Sequence, residues 1–545
     1  MFSLNRLTTN PLGDLSGGVT AAVVALPLAL AFGISSGAGP IAGLYGAIIV
    51  GLFAAIFGGT PSQVSGPTGP MTVVMTAMIA GFVAKYPDSG LALSFTTVFL
   101  GGCLQAAFGV LRLGKYVVMV PYPVISGFMT GIGVIIIVLQ LAPLLGQATQ
   151  GNVLTAITLL PENIANINPN AAMLGALALA VTFGWRGKAN RVLPSPLLAL
   201  IVVTLAAYFI DPSHTVDRIG TIPSALPSLI LPAFSGDLLK EMLVNALMLA
   251  VLGSIDSLLT SLVADNVTGT QHDSDRELVG QGIGNAVSGL FGGLPGAGAT
   301  MRTMVNIRAG GSGPLSGVTH ALVLVAVVAG AGKLFESIPL AALAGILIKV
   351  GVDIIDWPFL KRLRRLPNFA VFLMFTVFVL TVTVDLITAV FVGVFIKNTV
   401  VISKLSDLQL GEFVLSDGHA NTELLTPEEQ QFLSGEQGET VLLKLTGPIS
   451  YGTGRGLNLL FDPFKHHQKL VIDIAYAKLI GVSTAMVLEQ LVRKSLARNA
   501  RVALVGADVK LHGELAKMGL IDVVGAKHCF ENVTDVKWNN PGSAQ

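Results

Sequence analysis

The chain has 545 residues, of which 52% are hydrophobic and only 12% are charged, and its mean hydropathy is +0.73. Because soluble domains carry about 25% charged residues, this composition excludes a disordered chain and argues against a single soluble enzyme. The net charge of +1 provides no basic field that would attract nucleic acid. The composition therefore predicts an α-helical polytopic membrane protein.

Apolar runs that approach the length of a membrane crossing recur along the first 404 residues. We expect fourteen segments, near 15–35, 41–58, 68–84, 91–111, 117–142, 172–185, 193–210, 243–263, 278–292, 299–308, 315–334, 337–355, 367–384 and 386–403. Basic residues follow the fourth, sixth and twelfth segments: Arg112, Lys115, Arg186, Lys188, Arg191, Lys361, Arg362, Arg364 and Arg365. By the positive-inside rule these loops and both termini are cytoplasmic, in the inner or plasma membrane.

Two similar glycine- and proline-rich segments interrupt the apolar pattern, at 57–70 (FGGTPSQVSGPTGP) and 291–300 (FGGLPGAGAT). With seven segments in each half, the two halves have opposite orientations, and paired interruptions of this kind indicate a transporter's substrate site. Half-helices that begin inside the membrane direct unpaired N–H groups at one point, where they can replace water around an anion. Two re-entrant turns that only pack tightly are the alternative.

An acidic residue, Asp256, stands in the middle of the apolar segment near 243–263. An ionised carboxylate at this depth costs several kcal/mol unless it has a partner. Thr260 follows four residues later on the same helical face, and carboxylate, hydroxyl and carbonyl oxygens are the ligands that an alkali cation prefers. We expect Asp256 to couple an ion to transport, and a structural Asp bonded to a neighbouring helix is the alternative.

Other polar residues at membrane depth are less informative. Arg302 either stabilises an anion or extends its charge to the membrane interface from a helix end, and we expect Asp385 to be structural. Three residues are expected to satisfy contacts between helices: His320, Gln140 and Asn245. Four charged residues are expected in a solvated cytoplasmic loop: Asp273, Asp275, Arg276 and Glu277.

Neither the nucleotide-binding loop of an ATP-driven pump nor a zinc-site motif occurs in the sequence. The chain lacks GxxxxGK[ST], and it lacks HExxH and paired cysteines with metal-ligand spacing. We therefore predict that it is not an enzyme and carries no cofactor.

The end of the chain has a different character, because residues 401–545 hold nearly half of the Lys, Arg, Asp and Glu residues. Strand patterns at 441–445, 470–474 and 502–506 alternate with helix patterns at 484–497 and 511–518, as in an α/β domain. Ser483 is placed as an N-cap of the first of these helices, with a phosphorylation site as the alternative. We predict a transmembrane transport domain over 1–404, a linker over 405–436 and a cytoplasmic domain over 437–545.

These features resemble the SulP family of anion transporters with a C-terminal STAS domain, and within it the BicA type of sodium-dependent bicarbonate transporters. The likeness covers nearly the whole chain, and its most specific stretches are 29–32 with 37–39, 67–75, 296–301 and 350–357. The resemblance implies two inverted seven-segment repeats, a core domain that moves against a gate domain, and a STAS domain that helps form a homodimer.

The resemblance also implies where the ions bind. The anion would lie between Thr68 and a run of backbone groups at Gly298, Ala299 and Thr300. Sodium, as the coupling ion, would lie beside it on three oxygen-bearing residues: Asp256, Thr260 and Thr300.

Two residues depart from the BicA type. Arg302 stands where that type has a small residue and many other SulP members have arginine, and Gly66 stands at a position that is acidic in some BicA-type chains. Both differences make the local charge more positive, which favours a divalent anion or replaces the coupling cation.

The leading hypothesis is therefore that sodium and bicarbonate move inward together by alternating access. Sulfate or another oxyanion, moved with protons or by exchange, is the alternative within the same class. A passive anion channel or a membrane-anchored scaffold is the alternative from a different class. The expected partners are the small anion, sodium, the lipid bilayer and a second copy of the chain.

Overall fold

The chain divides into two units in the computed structural model, Met1–Val394 and Phe395–Gln545. The structure describes residues 10–538 except 118–119, 149–152, 186, 188–192, 221–226, 235, 331–334, 385, 420, 437–438, 450–456 and 458–466. Four residues discussed above lie outside the described residues: Arg186, Lys188, Arg191 and Asp385.

Helices make up most of the first unit. They are α1 (Pro11–Ser35), α2 (Pro40–Phe57), α3 (Gly69–Lys85), α4 (Gly90–Val110), α5 (Gly114–Val117), α6 (Tyr122–Leu144), α7 (Val153–Thr158), α8 (Leu160–Ala165), α9 (Pro169–Gly184), α10 (Ser195–Ile210), α11 (Leu239–Thr268), α12 (Ser274–Leu290), α13 (Thr300–Arg308), α14 (Pro314–Gly330), α15 (Leu340–Ile354), α16 (Trp357–Leu360), α17 (Asn368–Thr383) and α18 (Leu386–Gly411). Two short strands interrupt them, β1 (Ser65–Gly66) and β2 (Ala297–Gly298).

Six helices in the described part of the chain are long and apolar enough to cross a membrane, and five shorter helices are also apolar. The prediction of a helical polytopic protein is confirmed, whereas the count of fourteen segments stays a prediction. Proline stands in the first turn of α1, α2, α6, α9 and α10. Its missing N–H would have no acceptor in a first turn, so proline marks where these helices begin.

The helices of the first unit pack in two groups. In the core group, α12 packs on α2 and α4, α14 packs on α1 and α2, and α11 packs on α4. In the gate group, α15 and α17 pack on α6, and α9 packs on α10 and α15. Glycine permits the closest approach: a Cβ atom on Gly102 of α4 or on Gly282 of α12 would overlap the backbone of the facing helix.

The second unit contains a five-stranded sheet in the order β3 (Val414–Ser416), β4 (Thr440–Ile449), β5 (Lys469–Ile480), β6 (Arg501–Val505) and β7 (Cys529–Phe530). Strand β3 is antiparallel to β4, and the other neighbours are parallel. The helices of this unit are α19 (Pro427–Gly435), α20 (Val482–Leu496), α21 (Val509–Lys517) and α22 (Leu520–Val524).

Alternating residues of the parallel strands fill two cores. Leu443, Ile472 and Leu504 belong to one hydrophobic cluster, and their neighbours Leu442, Val471 and Ala503 belong to another. Successive strand residues point to opposite faces, so both faces of the sheet are covered. The predicted α/β domain is therefore confirmed.

The placement of Ser483 as an N-cap is wrong. Helix α20 begins at Val482, and its N-cap is Gly481, which has extended backbone angles and no side chain to cap the helix. Because Gly481 directly follows the end of β5, the helix begins before Ser483, which lies in its first turn.

Candidate functional site

The two interrupted segments meet inside the core group. Strands β1 and β2 pair antiparallel, with Ser65 opposite Gly298 and Gly66 opposite Ala297. Each of the two strands lies between two helices, and the two strands are far apart in the chain. The pairing therefore brings the ends of both interrupted segments to one place.

A helix begins directly after each strand. Thr68 is the N-cap of α3 and Ala299 is the N-cap of α13, and neither helix start has a side-chain cap. The first N–H groups of a helix have no acceptor within the helix, and the helix dipole adds partial positive charge there. Two uncapped helix starts at one junction are suited to an anion.

Arg302, in the first turn of α13, lies across this junction. Its side chain is only 2% exposed, its Nη2 donates to the carbonyl of Pro67, and its Nη1 has no hydrogen-bond partner among the described residues. Gly66 makes room for it: a Cβ atom there would lie 2.5 Å from Nη1, and the Gly66 φ of 153° is a glycine conformation. Arg302 is therefore a buried charge at the site and not a helix-end residue that reaches the interface.

Helix α11 provides oxygen atoms at the same junction. The Asp256 carboxyl faces Thr68 and the guanidinium of Arg302. The Thr260 hydroxyl donates to the Gly298 carbonyl at 2.9 Å and lies 2.8 Å from the Thr300 hydroxyl. A carboxylate, two hydroxyls and a carbonyl are hard oxygen donors of the kind that an alkali cation prefers.

The described residues provide no hydrogen-bond partner for several buried polar atoms at the junction. They are Asp256 Oδ2, Arg302 Nη1, both ring nitrogens of His320, and Thr68 Oγ1, which faces the Asp256 carboxyl. His320 is fully buried on α14 and interacts electrostatically with Arg302. Buried polar groups are rarely left unpaired in proteins, so these atoms indicate a place built for a polar ligand.

The structure brings together every residue that the sequence proposes for the two ions, but two backbone donors are already engaged. The Gly298 N–H donates to Ser257 Oγ at 3.0 Å, and the Ala299 N–H donates to the Val64 carbonyl at 3.0 Å. An anion could bind the N–H groups of Gly298 and Ala299 directly only if these two hydrogen bonds were broken. Thr68 and Arg302 keep unpaired side-chain atoms and are the better placed partners.

Three residues near the site were not identified from the sequence as parts of it. His320 was expected to satisfy helix contacts, but the described residues supply its ring with no hydrogen-bond partner. Glu277 was expected in a solvated loop, but it lies in α12 and is only 1% exposed. Ser257, which holds Gly298, gave no signal beyond its position beside Asp256.

Two protein families match the chain. Residues 12–377 match the sulfate permease family, and residues 433–536 match the STAS domain. The two matches together cover most of the sequence and coincide with the helical unit and the sheet-containing unit.

Individual relatives are similar over nearly the full length. The chain is 47% identical over 524 residues to the bicarbonate transporter BicA of Picosynechococcus sp., which covers 95% of this chain and 92% of the relative. It is also 47% identical to the bicarbonate transporter BicA of Synechocystis sp., over 95% of this chain and 92% of that one.

Solved structures are similar to both parts of the molecule. The transmembrane domain of a cyanobacterial bicarbonate transporter BicA matches 70% of this chain and 98% of that chain, with 54% identity and a TM-score of 0.66. The structure of SLC26A9 matches 98% of this chain and 90% of that one, with a TM-score of 0.80 and 16% identity. The second likeness is one of fold alone.

Proposed function

The chain belongs to the sulfate permease family of anion transporters, and we propose that within this family it takes up bicarbonate together with sodium by alternating access. The observation that carries the proposal is the junction of two uncapped helix starts with a half-buried carboxylate and a buried guanidinium. The 47% identity to BicA bicarbonate transporters supports bicarbonate as the anion.

In this proposal, the anion lies between Thr68 and Arg302. The Thr68 hydroxyl, which faces the Asp256 carboxyl, and Arg302 Nη1, for which the described residues provide no hydrogen-bond partner, would donate hydrogen bonds to it. The start of α13, at Gly298, Ala299 and Thr300, would add backbone donors and positive dipole charge. Charge-assisted hydrogen bonds in a water-poor site would then replace the hydration of the anion.

Sodium would be held by Asp256, Thr260, Thr300 and the Gly298 carbonyl. The charges of Asp256 and Arg302 balance, so the empty site has no net charge from this pair. One sodium ion makes the site positive by one unit, which matches one bicarbonate ion. Each ion therefore strengthens the binding of the other, and this mutual dependence is the basis of symport.

Movement of the core group against the gate group would expose the site to each side of the membrane in turn. Every ion-binding residue proposed here lies on α3, α11 or α13 or on the segments next to them. Helix α11 belongs to the core group, and α3 and α13 pack on its helices α4 and α1. The site would thus travel as one body while the gate group, built around α6, α15 and α17, stays in place. The termini would be cytoplasmic in the inner membrane, and the STAS domain would contribute to a homodimer.

Sulfate or another oxyanion is a second candidate, and a specific observation favours it. Arg302 adds a buried positive charge whose Nη1 is unpaired, and a divalent anion would gain more from it than bicarbonate does. A proton on Asp256 would change the charge of the site by the same amount as sodium. Proton coupling is therefore the matching mechanism for this candidate.

Replacing Asp256 tests the sodium site. Asp256→Asn keeps the size of the side chain but removes the charge that sodium would neutralise, so we expect uptake that no longer responds to a sodium gradient. Uptake of labelled bicarbonate into proteoliposomes, with and without sodium, measures this response. Asp211→Asn, which changes a buried carboxylate at the end of α10, is the control. Uptake by this variant should still respond to sodium. Normal sodium stimulation in Asp256→Asn would contradict the proposed sodium site.

A further inference from the structure

Glu277 is a buried carboxylate that contacts neither of the proposed ions. It lies in the first turn of α12 and is only 1% exposed. The described residues form no ion pair with it, so neutral donors alone stabilise its charge. Burying an unpaired carboxylate is costly, and this cost indicates a purpose for the contacts that Glu277 makes.

Each oxygen of the Glu277 carboxylate accepts two hydrogen bonds. Oε2 accepts from the backbone N–H groups of Gly59 and Thr60, both at 2.9 Å. Oε1 accepts from the side-chain amides of Gln63 at 2.7 Å and Gln281 at 2.8 Å. Gly59, Thr60 and Gln63 belong to the first interrupted segment, which lacks regular secondary structure between α2 and β1. The carboxylate therefore replaces the backbone bonds that a helix or sheet would supply there.

Two side chains extend these contacts to the paired strands. The Gln63 carbonyl oxygen accepts from the Ser261 hydroxyl at 3.1 Å, and its amide lies so close to Gly298 that a Cβ atom there would overlap it. The Gln281 amide also donates to Ser65 Oγ at 2.5 Å. Ser65 and Gly298 are the pair that joins β1 to β2. A single side chain therefore connects Glu277 to each strand of the junction: Gln281 to β1 and Gln63 to β2.

The same face of α12 holds the second interrupted segment. Asn285, eight residues after Glu277 and therefore on the same side of the helix, accepts from the Gly296 N–H at 2.7 Å and donates to the Gly296 carbonyl at 2.9 Å. Ser288 donates to the Leu294 carbonyl at 2.9 Å. A polar stripe on α12 therefore fixes both segments from one rigid element.

We propose that Glu277 is a positioning residue for the anion site, whose carboxylate holds the first interrupted segment so that Thr68 and the β1–β2 pair present their groups to the anion. This proposal rests on the proposed function in placing the anion at that junction. In this proposal Glu277 contacts neither ion. Glu277 determines how well the anion site is preformed, and this preorganisation determines the apparent affinity for the anion.

The test compares Glu277→Gln with a matched control in the full-length protein. Glutamine keeps the size of the side chain but presents an NH₂ group where two N–H donors now meet an oxygen, so two of the four bonds are lost. We expect faster hydrogen exchange at residues 58–66 and 296–298, and a KM for the anion that rises about tenfold while the maximal rate changes less.

Asp211→Asn is the control because Asp211 is another fully buried carboxylate that accepts backbone bonds. It accepts from Thr215 N at 2.7 Å and Val216 N at 3.0 Å, in the loop after α10. We expect this variant to lower the melting temperature about as much as Glu277→Gln does, and to leave both KM and exchange at 58–66 unchanged. A KM for Glu277→Gln equal to that of Asp211→Asn would overturn the proposal, because Glu277 would then contribute to stability alone.

A second variant covers the case in which Glu277→Gln does not fold. Gln63→Ala leaves the carboxylate in place and removes its connection to Gly298, so we expect the same rise in KM and faster exchange at 296–298. Wild-type values for this variant would overturn the proposal.

Failure of the proposed function is distinguishable from failure of this inference. Labelled bicarbonate and sulfate are both assayed, and KM is measured for the anion that the wild-type protein takes up. If the wild-type protein takes up sulfate alone, bicarbonate is wrong as the substrate. The role of Glu277 is then still tested by KM for sulfate and by hydrogen exchange.

Discussion

Arg302 and Gly66 fit together at the centre of the proposed anion site. The guanidinium is buried, and its Nη1 lies where a side chain at residue 66 would begin. The absence of a side chain at Gly66 is therefore what allows arginine at residue 302. The two residues that the resemblance to the BicA type singles out separately therefore form one structural feature, which would set the charge that an anion meets at the proposed site.

A double-mutant cycle tests this coupling. Gly66→Ala introduces a Cβ atom 2.5 Å from Arg302 Nη1, so we expect KM for the anion to rise about tenfold when Arg302 is present and much less in an Arg302→Ser background. Uptake by the wild type, both single variants and the double variant measures the coupling. Arg308→Ser, at an exposed residue of the same helix, is the control and should change little. Independent effects of the two changes would contradict the coupling.

Single residues also show how far the sequence could predict the site. Asp256 stood out because a carboxylate in an apolar run is rare, whatever surrounds it. His320 and Glu277 did not, because their roles depend on which face of a helix is buried and on what lies opposite. Glu277 contacts Gly59 and Gln63, more than two hundred positions away in the chain, and no local pattern encodes such a contact.

At the scale of elements, interruptions by glycine and proline predicted where helices end and begin, because these residues act on the backbone locally. The start of α13 follows that prediction. The pattern could not show that Ser257 and Val64 already accept from the N–H groups of Gly298 and Ala299. In the STAS domain, the strand patterns at 441–445, 470–474 and 502–506 predicted the three strands at the centre of the sheet. The edge strands β3 and β7, with three and two residues, are too short to leave a pattern.

The sheet of the STAS domain also contains a buried charge cluster. Lys444 on β4 lies 2.8 Å from Glu429 on α19, and Asp473 on β5 is opposite Lys444 in the sheet register. Burial raises the pKa of Asp473, and the nearby Glu429 carboxylate raises it further. A hydrogen bond from the Ala475 N–H and the positive charge of Lys444 oppose this rise. The net effect is a raised pKa, so the folded domain binds a proton more readily than the unfolded chain does.

This pKa predicts a pH dependence of stability. Between the unfolded and the higher folded pKa the folded state holds more protons, so the free energy of unfolding rises as pH falls through the folded value. We expect the unfolding temperature of the sheet, followed by hydrogen exchange of β5, to rise as pH is lowered from neutral through the raised pKa of Asp473. Asp473→Asn should flatten this dependence, and Asp522→Asn, at an exposed residue, should not. The same slope in wild type and Asp473→Asn would show that Asp473 does not carry the effect.

At the scale of the whole molecule, composition and charge distribution predicted a membrane transporter followed by an α/β domain, and the family and fold confirm this. The proposed mechanism adds that the core group carries the site past the gate group. It also assigns coupling to charge balance: Asp256 and Arg302 cancel, and a cation restores the positive charge that an anion needs. The identity of that cation and of the anion is the central claim.

Uptake of labelled bicarbonate into proteoliposomes that contain the wild-type protein, with and without an inward sodium gradient, tests this claim most directly. Labelled sulfate is assayed in parallel on the same vesicles. The account predicts bicarbonate uptake that sodium stimulates and that exceeds sulfate uptake. Sulfate uptake that is indifferent to sodium would contradict it, and the site would then bind an oxyanion through Arg302 without a sodium ion.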